Sequence, residues 1–172
     1  MKFTNCCAAR IALALTISSA AAWAQPPVMK IGGNPIVERD YPDASTFLYI
    51  LDTNHPFTSN GPVNQWEIYA DTTNPVQLII YRQTGGVFVE VGRSNVVTPK
   101  PGYNLFELTQ PIVVQAGDFV GAYQPSQGPI TYTDYSFTCF YGNLGHTTLQ
   151  TTGASPTGFN YSCDRTYSLR AF

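Results

Sequence analysis

W-E-I-Y-A-D (Trp66 to Asp71), V-Q-L-I-I-Y-R-Q (Val76 to Gln83), V-F-V-E-V-G (Val87 to Gly92), N-L-F-E-L (Asn104 to Leu108), P-I-V-V-Q-A-G-D (Pro111 to Asp118) and F-V-G-A-Y-Q (Phe119 to Gln124) follow one another in the middle of the chain. The runs are short and rich in Val, Ile, Phe and Tyr, and Gly, Pro, Asn or Asp stops each of them. That pattern is the punctuation of β-strands. Trp66, Ile68 and Ala70 share one face of their run, while Gln65, Glu67, Tyr69 and Asp71 share the other, the period-2 alternation of a half-buried strand. Thr84-Gly85-Gly86 supplies residues that accept positive φ, which predicts a hairpin between Val76–Tyr81 and Val87–Val91. Ala116-Gly117-Asp118 predicts a second hairpin, between Pro111–Gln115 and Phe119–Gln124.

Outward from this stretch the same reading continues. Thr46 to Leu51 is apolar on both faces, as a central covered strand should be. Val28–Ile31 and Pro35–Glu38 read as short edge strands broken by Gly32-Gly33-Asn34. Ile130 to Tyr141 reads as two short strands, and Thr147 to Thr151 as one more. Arg165 to Phe172 closes the chain with Tyr167, Leu169 and Ala171 facing inward. No helical period appears in this part of the chain. Eight to ten short strands in one domain predict an all-β fold, a sandwich or a barrel, of which an antiparallel β-sandwich is the expected one.

The start of the chain has a different character. Lys2 and Arg10 precede an apolar run, Ile11 to Ala22, and Ala22-Trp23-Ala24 has the small-x-small form of a signal-peptidase site. Residues 1–24 therefore read as a signal peptide, and 25–172 as a single β-sandwich domain. The apolar run falls short of the ~20 residues a membrane span needs. The expected location is secreted or periplasmic. Removing Lys2 and Arg10 from the nine Lys and Arg leaves seven against eleven Asp and Glu. No basic cluster exists, which argues against nucleic acid and anionic membranes as partners. A small outer-membrane barrel is also disfavoured, because it needs strands of about 9–11 residues and most runs here are shorter.

Of the four cysteines, Cys6 and Cys7 leave with the signal. Cys139 and Cys163 remain, and an even pair in an exported chain predicts a disulfide.

The search for chemistry yields little. His55 and His146 lie in loops without metal-ligand spacing. There is no nucleophile elbow and no phosphate-binding glycine loop. Glu67, Glu90 and Glu107 occupy polar strand positions and are the acids from which a glycosidase-type pair would be drawn, if they face one side of a sheet. Asp40, Asp43 and Asp52 lie in loops or at strand ends but lack the spacing of a calcium loop. No catalytic residue is assigned, and no cofactor or metal is expected. Aromatic residues are the one surplus: Tyr123, Tyr132, Tyr135, Phe137, Phe140 and Tyr141 crowd a short span. One sandwich face cannot bury them all, so Tyr132, Tyr135 and Tyr141 are the candidate binding residues, together with the adjoining Gly142–Gly158 loop. Asn160-Tyr161-Ser162 also has the form of a glycosylation sequon.

W-x-I-Y-A, V-x-L-x-I-Y-R, G-x-N-x-F at Gly102 to Phe106, and P-I-x-V-x-A-G-D-x-V-G-x-Y at Pro111 to Tyr123 resemble segments of secreted jelly-roll-type β-sandwich domains. The resemblance covers about a third of the chain and rests on turns and core positions, so it implies a fold and carries no functional residue. The expectation is an exported non-catalytic protein that binds a glycan or a protein surface, or serves a structural extracellular role. The alternative is a β-sandwich glycan-active hydrolase using a carboxylate pair.

Overall fold

The computed structural model describes residues 31–142, 148–152 and 157–172. The segment read as a signal peptide, Val28 to Lys30, His146, most of the Gly142–Gly158 loop and the Phe137 side chain lie outside the described residues. Twelve strands are described: β1 (Gly32–Gly33), β2 (Tyr41–Pro42), β3 (Leu48–Asp52), β4 (Gly61–Ala70), β5 (Gln77–Thr84), β6 (Val87–Arg93), β7 (Gly102–Val114), β8 (Phe119–Gln124), β9 (Thr131–Tyr141), β10 (Thr148–Thr152), β11 (Tyr161–Tyr167) and β12 (Leu169–Ala171). They form two antiparallel sheets that pack as a sandwich. The smaller has the order β1-β12-β4-β7 and the larger β2-β9-β11-β10-β3-β8-β5-β6.

The alternation read in the sequence accounts for the space between the sheets. Trp66, Ile68 and Ala70 of β4 are buried against Leu78 and Ile80 of β5, Val120 and Ala122 of β8, and Leu48 and Ile50 of β3. Strand β3 is buried along its whole length. A second cluster explains why: Tyr49, Leu51, Ile79, Tyr81, Phe88 and Leu149 form a small core on the far face of the larger sheet, with Phe119, Tyr123 and Phe159 packed against it. Gly121 makes this second layer possible. A Cβ there would lie 2.3 Å from the Ile50 carbonyl oxygen and 2.6 Å from the Tyr81 ring.

The β5–β6 hairpin forms as expected. Thr84 pairs with Val87, and Gly85 and Gly86 both take positive φ, 59° and 84°, as a two-residue primed turn requires. The second expected hairpin does not form. Ala116-Gly117-Asp118 does turn the chain, but β7 belongs to the smaller sheet and β8 to the larger. The turn is an arch between layers. Phe57 anchors it through backbone bonds to Gly117 and Asp118, and Asp118 accepts a hydrogen bond from the Gln115 amide and two from Arg82, all at 2.7 Å. Pro111, expected to open a strand, lies inside β7. It is tolerated because β7 is an edge strand and because its register against β4 shifts between Val63 and Gln65.

Three further readings are corrected. Ile130–Tyr141 holds one strand, β9, interrupted opposite Asp164 where the register jumps from Cys163–Cys139 to Arg165–Asp134. Pro35–Glu38 is irregular, and the Gly32-Gly33 pair that read as a breaker makes the short ladder with β12 instead. Tyr167, Leu169 and Ala171 all face the core, but the run breaks at Ser168, where the chain passes from the larger sheet to the smaller. Buried Ser168 holds that crossing, donating its hydroxyl hydrogen to the Val37 carbonyl and accepting from Arg39 Nε at 2.9 Å.

Cross-layer backbone contacts run from β1 and β12 to β8 and from β7 to β6. Eight strands face four, so the larger sheet extends past the smaller. The overhang is made by the Tyr141 and Tyr161 ends of β9 and β11, beside β10.

Candidate functional site

Directly opposed residues in an antiparallel ladder share a face, so the pairings assign one face to the overhang. Gln150 lies opposite Ile50 and Tyr161, and Thr148 lies opposite Asp52 and Cys163. Cys163 and Arg165 follow at two-residue steps and lead to Tyr167, which is in the core. The polar residues of β10 and β11 therefore continue the core-facing surface beyond the point where the smaller sheet covers it.

At the boundary sits a buried ion cluster. Arg165 donates from Nε to Asp134 Oδ2 at 2.9 Å and from Nη1 to Asp43 Oδ2 at 3.3 Å. Its guanidinium lies 4.3 Å from the centre of the Tyr132 ring, within the range of cation–π attraction. Tyr167 donates its phenol hydrogen to Asp43 Oδ2, and Gln150 Nε2 donates to the Tyr167 oxygen at 2.7 Å. Burial by itself would lower the Arg165 pKa, but Tyr167, Asp134 and Asp43 outweigh it and the net direction is upward. Burial, and then Asp43, hold the Tyr167 phenol well above its ordinary value.

Above this cluster opens a cavity of about 210 Å³. Gln150, Leu48 and Arg165 line it together with Ser45, Tyr161 and Cys139. Cys139 and Cys163 are bonded to each other and stand directly opposite in β9 and β11, with Cα atoms 4.4 Å apart. The bond ties the two strands that carry the rim. On that rim Tyr141 packs edge-on against Tyr161, centroids 5.6 Å apart and planes at 87°. Tyr141 is 76 % exposed and Tyr161 is 40 % exposed.

The structure separates the three tyrosines singled out from the sequence. Tyr135 and Tyr141 are on the surface, at 66 % and 76 % exposure. Tyr132 is buried to 9 %, in the core between Tyr167, Tyr41 and Arg165, so it offers no accessible ring. It faces inward because it lies opposite Tyr167 in the ladder. Gln150 and Arg165 are not singled out by the sequence, Asp43 enters there only among the loop acids weighed for calcium, and Tyr161 only within the Asn160-Tyr161-Ser162 sequon. The available signal was a lone arginine in a tyrosine-rich strand of a chain that is only 12 % charged.

The acids weighed as a catalytic pair are dispersed. Glu67 is in the smaller sheet, bound to Arg170 and, at 2.7 Å, to the Tyr103 hydroxyl. Glu90 is in the larger sheet, paired with Arg93. Glu107 is exposed on β7. Among the described residues, no group of three His, Cys, Asp or Glu is placed to hold a metal ion. Two other cavities are described. One, about 310 Å³, lies beside the interlayer arch next to the Arg82–Asp118 ion pair. The other, about 200 Å³, lies between Phe88 and Phe159. No family model, curated protein or solved structure matches the chain.

Proposed function

We propose that the protein is an exported, non-catalytic binding module and that its overhang takes a neutral glycan. The observation that carries the reading is the exposed Tyr141–Tyr161 pair standing beside a cavity lined by Ser45, Gln150 and Arg165. A sugar ring has an apolar face and a periphery of hydroxyls. Tyrosine rings suit the first, since each joins a flat apolar body to a polar tip. Amide, hydroxyl and guanidinium groups suit the second. Asp43 and Asp134 both pair with Arg165, two carboxylates to one guanidinium, an arrangement that disfavours anionic sugars.

A binding role is supported over a hydrolytic one because Asp43 and Asp134 are committed to Arg165, Glu67 to Arg170 and Tyr103, and Glu90 to Arg93. The test is a glycan array on the mature chain, followed by calorimetry of any hit against the protein and its Tyr141→Ala variant. Binding of a neutral oligosaccharide that Tyr141→Ala weakens supports the proposal. An array without hits, or a hit indifferent to Tyr141, defeats it.

A further inference from the structure

The exposed apolar residues of the described structure fall mainly into two groups. The aromatic one lies on the overhang. The other is mostly aliphatic and lies on the opposite side of the sandwich, where strands β6 and β7 run along neighbouring edges. It comprises Val87 and Val89 of β6, Val96 between the strands, and Tyr103, Leu105 and Val113 of β7.

The edges of the two sheets are guarded unequally. On one side they end in β1 and β2, two residues each, the second containing Pro42. Very short strands and proline are ordinary protection against edge-to-edge pairing. On the other side the smaller sheet ends in β7, thirteen residues long, and among the described residues no strand is hydrogen-bonded beyond it. Residues 102–114 contain no lysine or arginine. Their one proline is Pro111, in the half of the strand beyond the register shift. The half from Gly102 to Leu108 has no proline and only one charged side chain, Glu107, near its end.

We infer that β7 pairs antiparallel with β7 of a second copy about a two-fold axis at Leu105, joining the two smaller sheets into one of eight strands. An axis perpendicular to the sheet returns each face to itself, so opposed residues must share a face. This limits the possible registers. An axis at Glu107 sets two carboxylates directly opposite, which is destabilising. An axis at Thr109 places Pro111 opposite Glu107, inside the new ladder. An axis at Tyr103 runs Pro101 and Pro99 into it, one at Asn104 places Pro101 opposite Glu107, and one at Phe106 sets each Glu107 against the partner subunit's Leu105, a carboxylate against an apolar side chain. An axis at Leu105 sets Leu105 against Leu105 and each Glu107 against the partner subunit's Tyr103, and leaves the prolines outside. The exposed side chains of this half-strand are therefore complementary to themselves in one register, which favours a second copy over an unrelated strand.

The experiment is sedimentation velocity over a concentration series, with two cysteine variants oxidised in parallel. Dimer should form as concentration rises, and Leu105→Lys should abolish it by facing two like charges across the axis. Leu105→Cys should cross-link to a dimer, because directly opposed Cα atoms in a ladder lie within disulfide reach. Val113→Cys, whose copies lie far apart in this register, should not. Leu105 and Val113 are both exposed, so each variant should keep its fold, and circular dichroism checks that. A monomer at every concentration overturns the inference, including the case in which the edge instead takes a strand from a different protein. Equal cross-linking at Val113, or a dimer indifferent to Leu105→Lys, overturns it as well.

Discussion

Tyr167 and Asp43, 124 residues apart in the chain, are joined by a buried hydrogen bond of 2.5 Å, and Arg165 reaches the same Asp43 oxygen at 3.3 Å. The pair fastens the segment before β3 to β11 beneath the candidate site. It also divides the work of the surrounding residues: Tyr167 and Asp43 hold the floor, and Tyr141 and Tyr161 present the rim.

Arg165→Met should therefore destabilise the protein by about 3–5 kcal/mol, as expected when one partner of a buried ionic cluster is removed. Asp43 and Asp134 would be left facing each other without their cation. Urea unfolding measures the loss, and a deficit of about 1 kcal/mol or less, in the range of an exposed ion pair, would refute the assignment.

The tyrosines should sort by burial. Tyr132→Ala should cost about 3–5 kcal/mol, by analogy with other large core aromatics. Tyr141→Ala should stay within about 0.5 kcal/mol of the parent. In glycan binding the order should reverse, with Tyr141→Ala losing about 2 kcal/mol or more if the ring is an anchoring contact. Denaturant curves and calorimetry on the same preparations decide both.

Cys139 and Cys163 should give no free thiol under denaturing, non-reducing conditions. Reduction should lower the melting temperature, because the bond closes a segment with a sequence separation of 24, worth about 3–4 kcal/mol in the chain-entropy model. Scanning calorimetry with and without reductant measures the shift. Since the bond ties the strands bearing Tyr141 and Tyr161, glycan affinity should fall under reduction even at temperatures where the protein stays folded.

Asp52 gives a pH signature of its own. Burial raises its pKa, against the hydrogen bonds from Asn54 and Asn34 and the charge of His55. A raised carboxyl favours the folded state at low pH, and that contribution fades as pH climbs from the unfolded value, about 3.9, through the folded one. Replacing Asp52 with Asn removes the titration. Stability of the parent relative to Asp52→Asn should therefore decline across that interval. Parallel curves for the two proteins would refute the assignment.

Gly121→Ala should be poorly tolerated. The added methyl would meet the Ile50 carbonyl and the Tyr81 ring inside van der Waals distance, and overpacking of this kind costs on the order of 1–3 kcal/mol or more. Thermal unfolding measures the loss.

What the sequence made legible follows from the range of the forces involved. Period-2 burial is local, so Trp66, Ile68, Ala70 and the doubly apolar Leu48–Leu51 run could be placed from their neighbours alone. The Gly85-Gly86 turn was equally local. The interlayer arch at Ala116–Asp118 was misread because a tight turn looks the same whether its arms pair or part. What sends β7 and β8 into different sheets is the distant partners each finds, β4 for one and β3 with β5 for the other. Cys139 and Cys163 were paired by counting, without geometry. The floor of the site was invisible for the same reason as the arch: Asp43, Asp134, Gln150 and Arg165 converge from four separate stretches, and nothing local distinguishes them from solvated polar residues. Tyr132 faces inward because its ladder partner is the core residue Tyr167, a long-range pairing that no local pattern reveals; the interruption of β9 lies beyond Asp134 and resets the facing only of the residues from Tyr135 onward.

The unequal widths of the two sheets have a mechanical consequence. The overhang is a cantilever: β9 and β11 are clamped at their Ile130 and Tyr167 ends, where Ala70 bridges to Ile130 and Ser168 bonds to Thr131, and unsupported by the smaller sheet at their far ends. Deflection of a beam held at one end grows toward the tip, so amide exchange should quicken along β9 from Thr131 to Tyr141 while β4 and β8 stay slow. The disulfide acts as a crossbar near the tip, making the two strands bend together. The rim can then flex as one plate while the packing between the sheets keeps its shape.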